Sequence, residues 1–339
     1  MPDQQSTATT KSSQRVIKKY PNRRLYDTDT STYITLAEVK ATLTKVVHSA
    51  WSVNFNIGVR SFEKHHIAGV RNLIDLCLAC SSSSSSSEPS SRPGAAEFYF
   101  CSSISAAAGT PMPAVIEEGP VPELSSAFGM GYARSKLVAE RIVQAAAEQT
   151  GMVSKVLRVG QIVGDTVHGR WNLDEGIPLM LRSAKTLGAL PTLNESLSWT
   201  PVDVVARAVL ELSSLETPDG DSAAAARKHA QDPKVVYHVL NPLVIDWTRD
   251  LLPALRDAGL EFEAVGQREW VQRLREGEQD PVKNPTVKLT EFYAQKYDNE
   301  SNRSGLSYRT TYTEEASPAL RGGVDLVSSG IIKKFVNFF

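Results

Sequence analysis

The sequence predicts an α/β chain built on a parallel sheet with crossover helices. Three observations predict it. Short apolar runs around Val46, Phe98 and Val156 are the right length for buried strands. Segments of helical period separate them, the clearest being "YARSKLVAERIVQAAAEQTG", which stops at Gly151. Strands and helices in alternation leave crossover connections as the compact solution, and crossovers favour parallel pairing.

Composition sets the outer limits. The 339 residues suffice for one large α/β domain or two smaller ones. Hydrophobic residues at 41% and charged residues at 22% suit a packed soluble chain. A formal net charge of −1 gives the whole molecule no global attraction to nucleic acid or acidic membranes. No apolar run approaches the ~20 residues of a membrane helix. The polar start "MPDQQSTATTKSSQ" has no apolar signal core, so the expectation is a cytoplasmic protein with no membrane partner.

The elements follow in order. Six basic residues and no acidic one fall between Lys11 and Arg24. "TYITL" alternates as a short strand does, after the turn chemistry of "DTDTS". "KVVHSAWSVNF" begins as a buried strand, and "SFEKHHIAGVRNLIDLCLA" places Phe62, Ile67, Val70, Ile74 and Cys77 near helical spacing. "SSSSSSSEPSSRPGAA" is low in complexity and lengthens a helix-to-strand loop. "EFYFCSSISAAAG" is a second strand, and "SKVLRVGQIVG" a third. Beyond Asp165 the runs from Leu173 to Pro191 and from Pro201 to Glu216 are helical, "TPDGDSAAAARKHAQDP" is a loop insertion, and "KVVYHVLN" is a strand. "DWTRDLLPALRDAG" and "QREWVQRLREGE" are amphipathic helices. The polar stretch after Tyr297 predicts little packed structure, and "GIIKKFVNFF" a loosely packed end.

The three cysteines make no disulfide framework. Cys77 and Cys80 form C-x-x-C, but a zinc site needs two further ligands at matching spacing. Small residues near a helix end is the simpler reading, and no metal is expected.

Tyr132 and Lys136 carry the chemistry. Four residues apart, they share one helix face. A phenol donates its proton poorly at neutral pH, and a neighbouring ammonium is expected to lower its pKa. Alone, Y-x-x-x-K equally describes an exposed tyrosine and lysine. Its context is a strand ending in "CSSIS" upstream and another ending in "VLRVGQIVGD" downstream. Ligands of open α/β sheets sit outside the carboxyl ends of the strands. Ser103 could there hold a substrate carbonyl while Tyr132 protonates it. The alternative for Ser103 is a loop hydroxyl capping its own backbone.

From about Val46 to Tyr297 the chain resembles the extended short-chain dehydrogenase/reductases. It is most similar to the terminal thioester-reductase domain of nonribosomal-peptide-synthetase-like, carboxylic-acid-reductase-like enzymes. The matching stretches are "HSAWSVNFN", "GVRNLIDL", "FYFCSSISAAAG", "GYARSKLVAER", "LRVGQIVGD", "WTPVDVVARAVLEL" and "NPTVKLTEFYAQKY". The resemblance implies NADPH-dependent reduction, with NAD left open, of an acyl thioester on a carrier protein's phosphopantetheine arm to an aldehyde or alcohol. It implies Tyr132 as acid, Lys136 as ribose-binding and pKa-lowering, and Ser103 as carbonyl hydrogen-bonder. It also implies that Ala50, Gly160 and Gln161 approach the cofactor. Where many members carry an asparagine on the preceding helix, this chain has His66.

One departure is large. The family pattern opens with a strand, a G-x-x-G-x-x-G turn and a helix that receive the pyrophosphate, and no such turn occurs here. The expectation is a chain lacking the family's N-terminal part. "VIKKYPNRRLYDTDTSTYITLAEVK" instead resembles the N-terminal DNA-binding segment of polyhydroxyalkanoate synthesis regulators. That resemblance implies weak DNA contacts by Lys18, Lys19, Arg23 and Arg24; a solvated basic arm is the alternative.

The fold expected is α/β, an incomplete Rossmann-like parallel sheet with flanking helices and a smaller C-terminal substrate subdomain. Residues 1–42 form the basic segment and 43–165 the partial nucleotide-binding core, with a flexible serine-rich loop at 81–96. Residues 166–297 form the substrate subdomain with some core elements, and 298–339 a low-order tail. The function expected is thioester reduction impaired by the missing glycine turn. The alternatives are a DNA-binding regulator and a catalytically dead scaffold.

Overall fold

The apolar runs around Val46, Phe98 and Val156 become neighbouring strands of one sheet. The computed structural model describes residues 17–19, 25–27, 32–35, 38–40, 43–80, 95–216, 220–298 and 305–339. Three short strands come first: β1 (Ile17–Lys19), β2 (Leu25–Asp27) and β3 (Thr32–Ile34), paired antiparallel in that order. The chain continues through β4 (Lys45–His48), α1 (Ala68–Leu78), β5 (Glu97–Ser103), β6 (Ala114–Ile116), α2 (Gly131–Thr150) and β7 (Ser154–Val159). Next are β8 (Ile162–Val163), α3 (Gly176–Thr186), β9 (Ala189–Thr192), β10 (Ser196–Leu197) and β11 (Thr200–Pro201). Then come α4 (Val202–Leu212), α5 (Gly220–Gln231), β12 (Val236–Val239), β13 (Ile245–Asp246) and α6 (Leu252–Asp257). The last elements are β14 (Glu263–Gly266), α7 (Gln267–Glu276), α8 (Thr290–Tyr297), β15 (Leu306–Tyr308), α9 (Thr311–Ala316) and α10 (Ile331–Phe338).

Four strands form the main sheet, in the order β12-β7-β5-β4, all parallel. Its register sets His48 opposite Phe100 and Ser103 opposite Val159. The carboxyl ends of β4, β5 and β7 therefore meet at one edge. Strand alternation explains the two faces. Phe98 and Phe100 face Val70, Ile74 and Cys77 of α1 and Val143 of α2. Tyr99 points the other way, among Val205 and Ala208 of α4 and Ala226 of α5. A separate core gathers Trp171, Trp199, Trp247, Trp270 and Tyr293. Among the described residues β4 bonds only to β5 and is an edge strand. No helix among them is long and apolar enough to cross a membrane.

Cys77 and Cys80 are both buried, and burial pushes the Cys77 thiol up to about 12. They behave as small core residues.

Two expectations are corrected. The segment read as a loop insertion forms α5, because a run of alanines propagates a helix and Ala223 and Ala226 allow close packing. The low-order tail is wrong for residues 305–339. Strand β15 pairs parallel with β6. The buried Glu118 carboxylate accepts the backbone N–H of Tyr312 at 2.5 Å and of Thr313 at 2.9 Å, which caps α9. The Asn241 side chain brackets Val324, accepting its N–H at 2.9 Å and donating to its carbonyl at 2.8 Å. Polar composition hid this packing, because the side chains that fasten the segment lie far upstream. The part of the serine-rich loop at 81–94 lies outside the described residues.

Helix α10 sets Phe335, 1% exposed, against Trp171 at 5.2 Å between ring centroids. Phe335→Ala should destabilise the chain by about 3–5 kcal/mol through lost burial and a residual cavity. Urea denaturation checks this, and a loss below ~1 kcal/mol would mean a loosely attached helix.

Candidate active site

Helix α2 begins where the loop after β4 crosses it. Gly131 makes that crossing possible, since a Cβ there would lie 2.1 Å from the Ile57 carbonyl oxygen. The contact locks the loop to the first turn of α2. Tyr132 follows, its ring meeting Phe55 edge-on at 5.4 Å and Phe62 at 6.5 Å.

Ser103 lies near enough to the Tyr132 hydroxyl to act on its pKa, in the lowering direction. The Ser103 oxygen already accepts the Ser105 N–H at 3.2 Å and the Ser105 hydroxyl at 3.0 Å. Its own proton is thus free to point at the Tyr132 oxygen. Of the two roles the sequence left open for Ser103, the structure shows the cap on its own loop.

Lys136, one turn further along, is only 3% exposed. Its Nζ donates to the Cys101 carbonyl at 2.6 Å. The same ammonium lies 4.4 Å from the Trp51 ring centroid, 4.8 Å from that of Phe100 and 5.8 Å from that of Tyr132. Burial lowers the Lys136 pKa to about 8, against the raising fields of Cys101 and Glu140. Burial also raises the Tyr132 phenol, and Ser103 only opposes it. The net shift of the tyrosine is therefore upward. The ammonium faces the Cys101 carbonyl and aromatic rings, and desolvation of the phenol is the larger effect.

Sequence reasoning missed what holds the pair in place. Glu140, another turn along α2, makes a buried ion pair with Arg158 of β7 at 2.7 Å and accepts the Ser102 hydroxyl at 2.5 Å. Arg158 also donates to the Gly119 carbonyl at 3.1 Å. This network ties α2 to β5 and β7 just beneath Ser103. An arginine in the middle of the apolar run "KVLRV" was the available signal.

The other expected cofactor residues lie at the same sheet edge. Ala50 is exposed just after β4, and Gly160 and Gln161 follow β7. Gly160 has a packing reason of its own, since a Cβ there would lie 2.1 Å from Leu240 Cδ2. The Gln161 side chain donates to the Ile162 carbonyl at 2.8 Å. The His66 ring lies tilted against Trp51 at 4.9 Å, and burial lowers its pKa. Lys18 and Lys19 fall in β1, but their side chains, like Arg23 and Arg24, lie outside what is described. Among the described residues no group of three or more His, Cys, Asp or Glu could hold a metal ion.

A phenol, a serine hydroxyl and an ammonium at the carboxyl edge of a parallel sheet fit the nicotinamide-ribose end of a dinucleotide. The pyrophosphate end normally rests on a glycine turn and a helix N-terminus, and the sequence offers no G-x-x-G-x-x-G for it.

A family model described as male sterility protein, of the NAD-binding type, matches residues 34–209. A second, described as PHB/PHA accumulation regulator DNA-binding domain, matches residues 16–49. The non-ribosomal peptide synthetase ascB of Acremonium egyptiacum is 35% identical over 75% of this chain and 21% of its own length. The carboxylic acid reductase of Neurospora crassa is 32% identical over 74% of this chain and 22% of its own. The chain thus spans about a fifth of the length of these relatives. The crystal structure of the terminal R domain from the myxalamid PKS-NRPS pathway superposes with a TM-score of 0.68 at 20% identity, covering 89% of this chain and 69% of that one.

Proposed function

The chain belongs to the male sterility protein family of NAD-binding domains, in its thioester-reductase branch, and from this membership we propose that it reduces carrier-bound acyl thioesters. The observation that carries the reading is that Ser103, at the carboxyl end of β5, neighbours Tyr132 in the first turn of α2, with Lys136 one turn further along. NADPH, when bound, supplies a hydride to the carbonyl carbon. Tyr132 gives its phenol proton to the carbonyl oxygen as charge develops there. Ser103 turns its hydroxyl from the tyrosine to the same oxygen. Lys136 holds the ribose that fixes the approach. Loss of the carrier's thiol then leaves an aldehyde, and a second reduction gives the alcohol.

The absence of a glycine turn from the sequence bears on affinity. Without backbone N–H groups on the pyrophosphate, NADPH binding should weaken by several kcal/mol, or about 10³-fold. The test is incubation of the purified chain with a synthetic acyl-pantetheine thioester and saturating NADPH, following aldehyde and alcohol by mass spectrometry. Slow product formation is the expected result. No product at any NADPH concentration would leave only a reductase-like scaffold.

A second reading rests on the match over residues 16–49. It would give Lys18, Lys19, Arg23 and Arg24 weak contacts with DNA phosphates. The match also runs through β4, a strand of the parallel sheet. A salt-sensitive gel shift that disappears on deletion of residues 1–42 would support it, and no shift at low salt would dispose of it.

A further inference from the structure

The site holds one residue whose position the proposed chemistry does not explain. Trp51 lies three residues past β4, in a loop without regular structure that runs to Gly58. Its indole N–H donates to the Ser135 hydroxyl at 3.2 Å, and that hydroxyl donates to the Tyr132 carbonyl at 2.7 Å. The ring is therefore pinned to the first turns of α2. One side of its neighbourhood is Lys136 Nζ at 4.4 Å, and another is the His66 ring at 4.9 Å. The loop grips the helix again at Gly131, beneath Ile57, and at Tyr132, beneath Phe55.

An ammonium has three protons. One goes to Cys101, and the Trp51 and Phe100 rings crowd the space around the others. A ribose hydroxyl would need to come within about 2.7–3.2 Å of Nζ. With Lys136 only 3% exposed, little of it is open to such an approach. Cation–π attraction meanwhile holds the indole where it is.

We propose that Trp51 is a cover over Lys136, which must turn aside before the lysine can bind a ribose hydroxyl. The ribose as ligand rests on the reductase reading; the cover itself does not. Trp51 is thus a positioning residue, and the loop that carries it sets when the Tyr–Lys pair is open.

The buried lysine at the other end of β7 supplies an internal control. Lys155 is 1% exposed, and burial lowers its pKa to about 8 as well. The full chain is treated with an amine-acetylating reagent, and the rate at each lysine is followed by mass spectrometry. In the unaltered chain Lys136 should react far more slowly than the exposed Lys283. Trp51→Ala should acetylate Lys136 about tenfold faster, with Lys155 unchanged, whereas Trp51→Phe should stay slow. An unchanged Lys136 rate in Trp51→Ala would overturn the cover. So would equal acceleration of Lys155, which would make the indole mere packing. Added NADPH should protect Lys136 in Trp51→Ala; no protection would sink the ribose as ligand and leave the cover standing.

Discussion

Tyr132→Phe should lower thioester reduction by about 10²- to 10⁴-fold at saturating NADPH, the usual worth of a positioned proton donor. The substitution keeps the ring, and with it the edge contacts to Phe55 and Phe62 at 5.4 and 6.5 Å. It removes the proton and the hydroxyl beside Ser103. Thermal stability should therefore hardly change while product formation falls. Full activity in the phenylalanine variant would end Tyr132's role as acid. The pH profile adds a second readout. Burial raises the phenol, so it keeps its proton at neutral pH. Lys136, lowered to about 8, carries its charge below that pH and loses it above. Activity that depends on the ammonium should then fall as pH rises past about 8. A profile flat to the ordinary lysine range would show that the ammonium is not needed.

Glu140→Leu should destabilise the chain by about 3–5 kcal/mol, because it strands a buried guanidinium. Arg158 and Glu140 are both fully buried, and no water can replace the lost carboxylate without opening the sheet. The cost arises from the unpaired charge rather than from the value of the pair. Adding Arg158→Met to Glu140→Leu should therefore recover much of the loss, since two apolar side chains of similar volume avoid that charge. The recovery should be incomplete, because the Ser102 hydroxyl and the Gly119 carbonyl lose partners in the double variant. Urea denaturation of the three variants checks this. A double variant less stable than Glu140→Leu alone would show that the network is worth more than its desolvation cost.

The same residues mark how far the sequence could be read. Tyr132 and Lys136 were legible because their relation is local: four positions on one helix fix a shared face whatever surrounds them. The parallel pairing of β4, β5 and β7 was legible for a related reason, since strands alternating with helices favour crossover connections. The packed segment from Gly305 onward was not. Its polar letters up to Gly330 disguise a strand and a helix, with Glu118 fastening that helix and Asn241 the loop after it. Glu140 and Arg158 lie 18 residues apart on different elements, and only the sheet makes them partners.

The sequence by itself determined which groups could do chemistry here and the edge of the sheet they share, because spacing and alternation are properties of the chain. The tertiary structure alone decided their electrostatics. It half-buried the phenol and raised its pKa, gave the Lys136 ammonium to Cys101, and set Trp51 over it. Desolvation depends on what every neighbouring element excludes from water, and that is written in no single stretch of sequence.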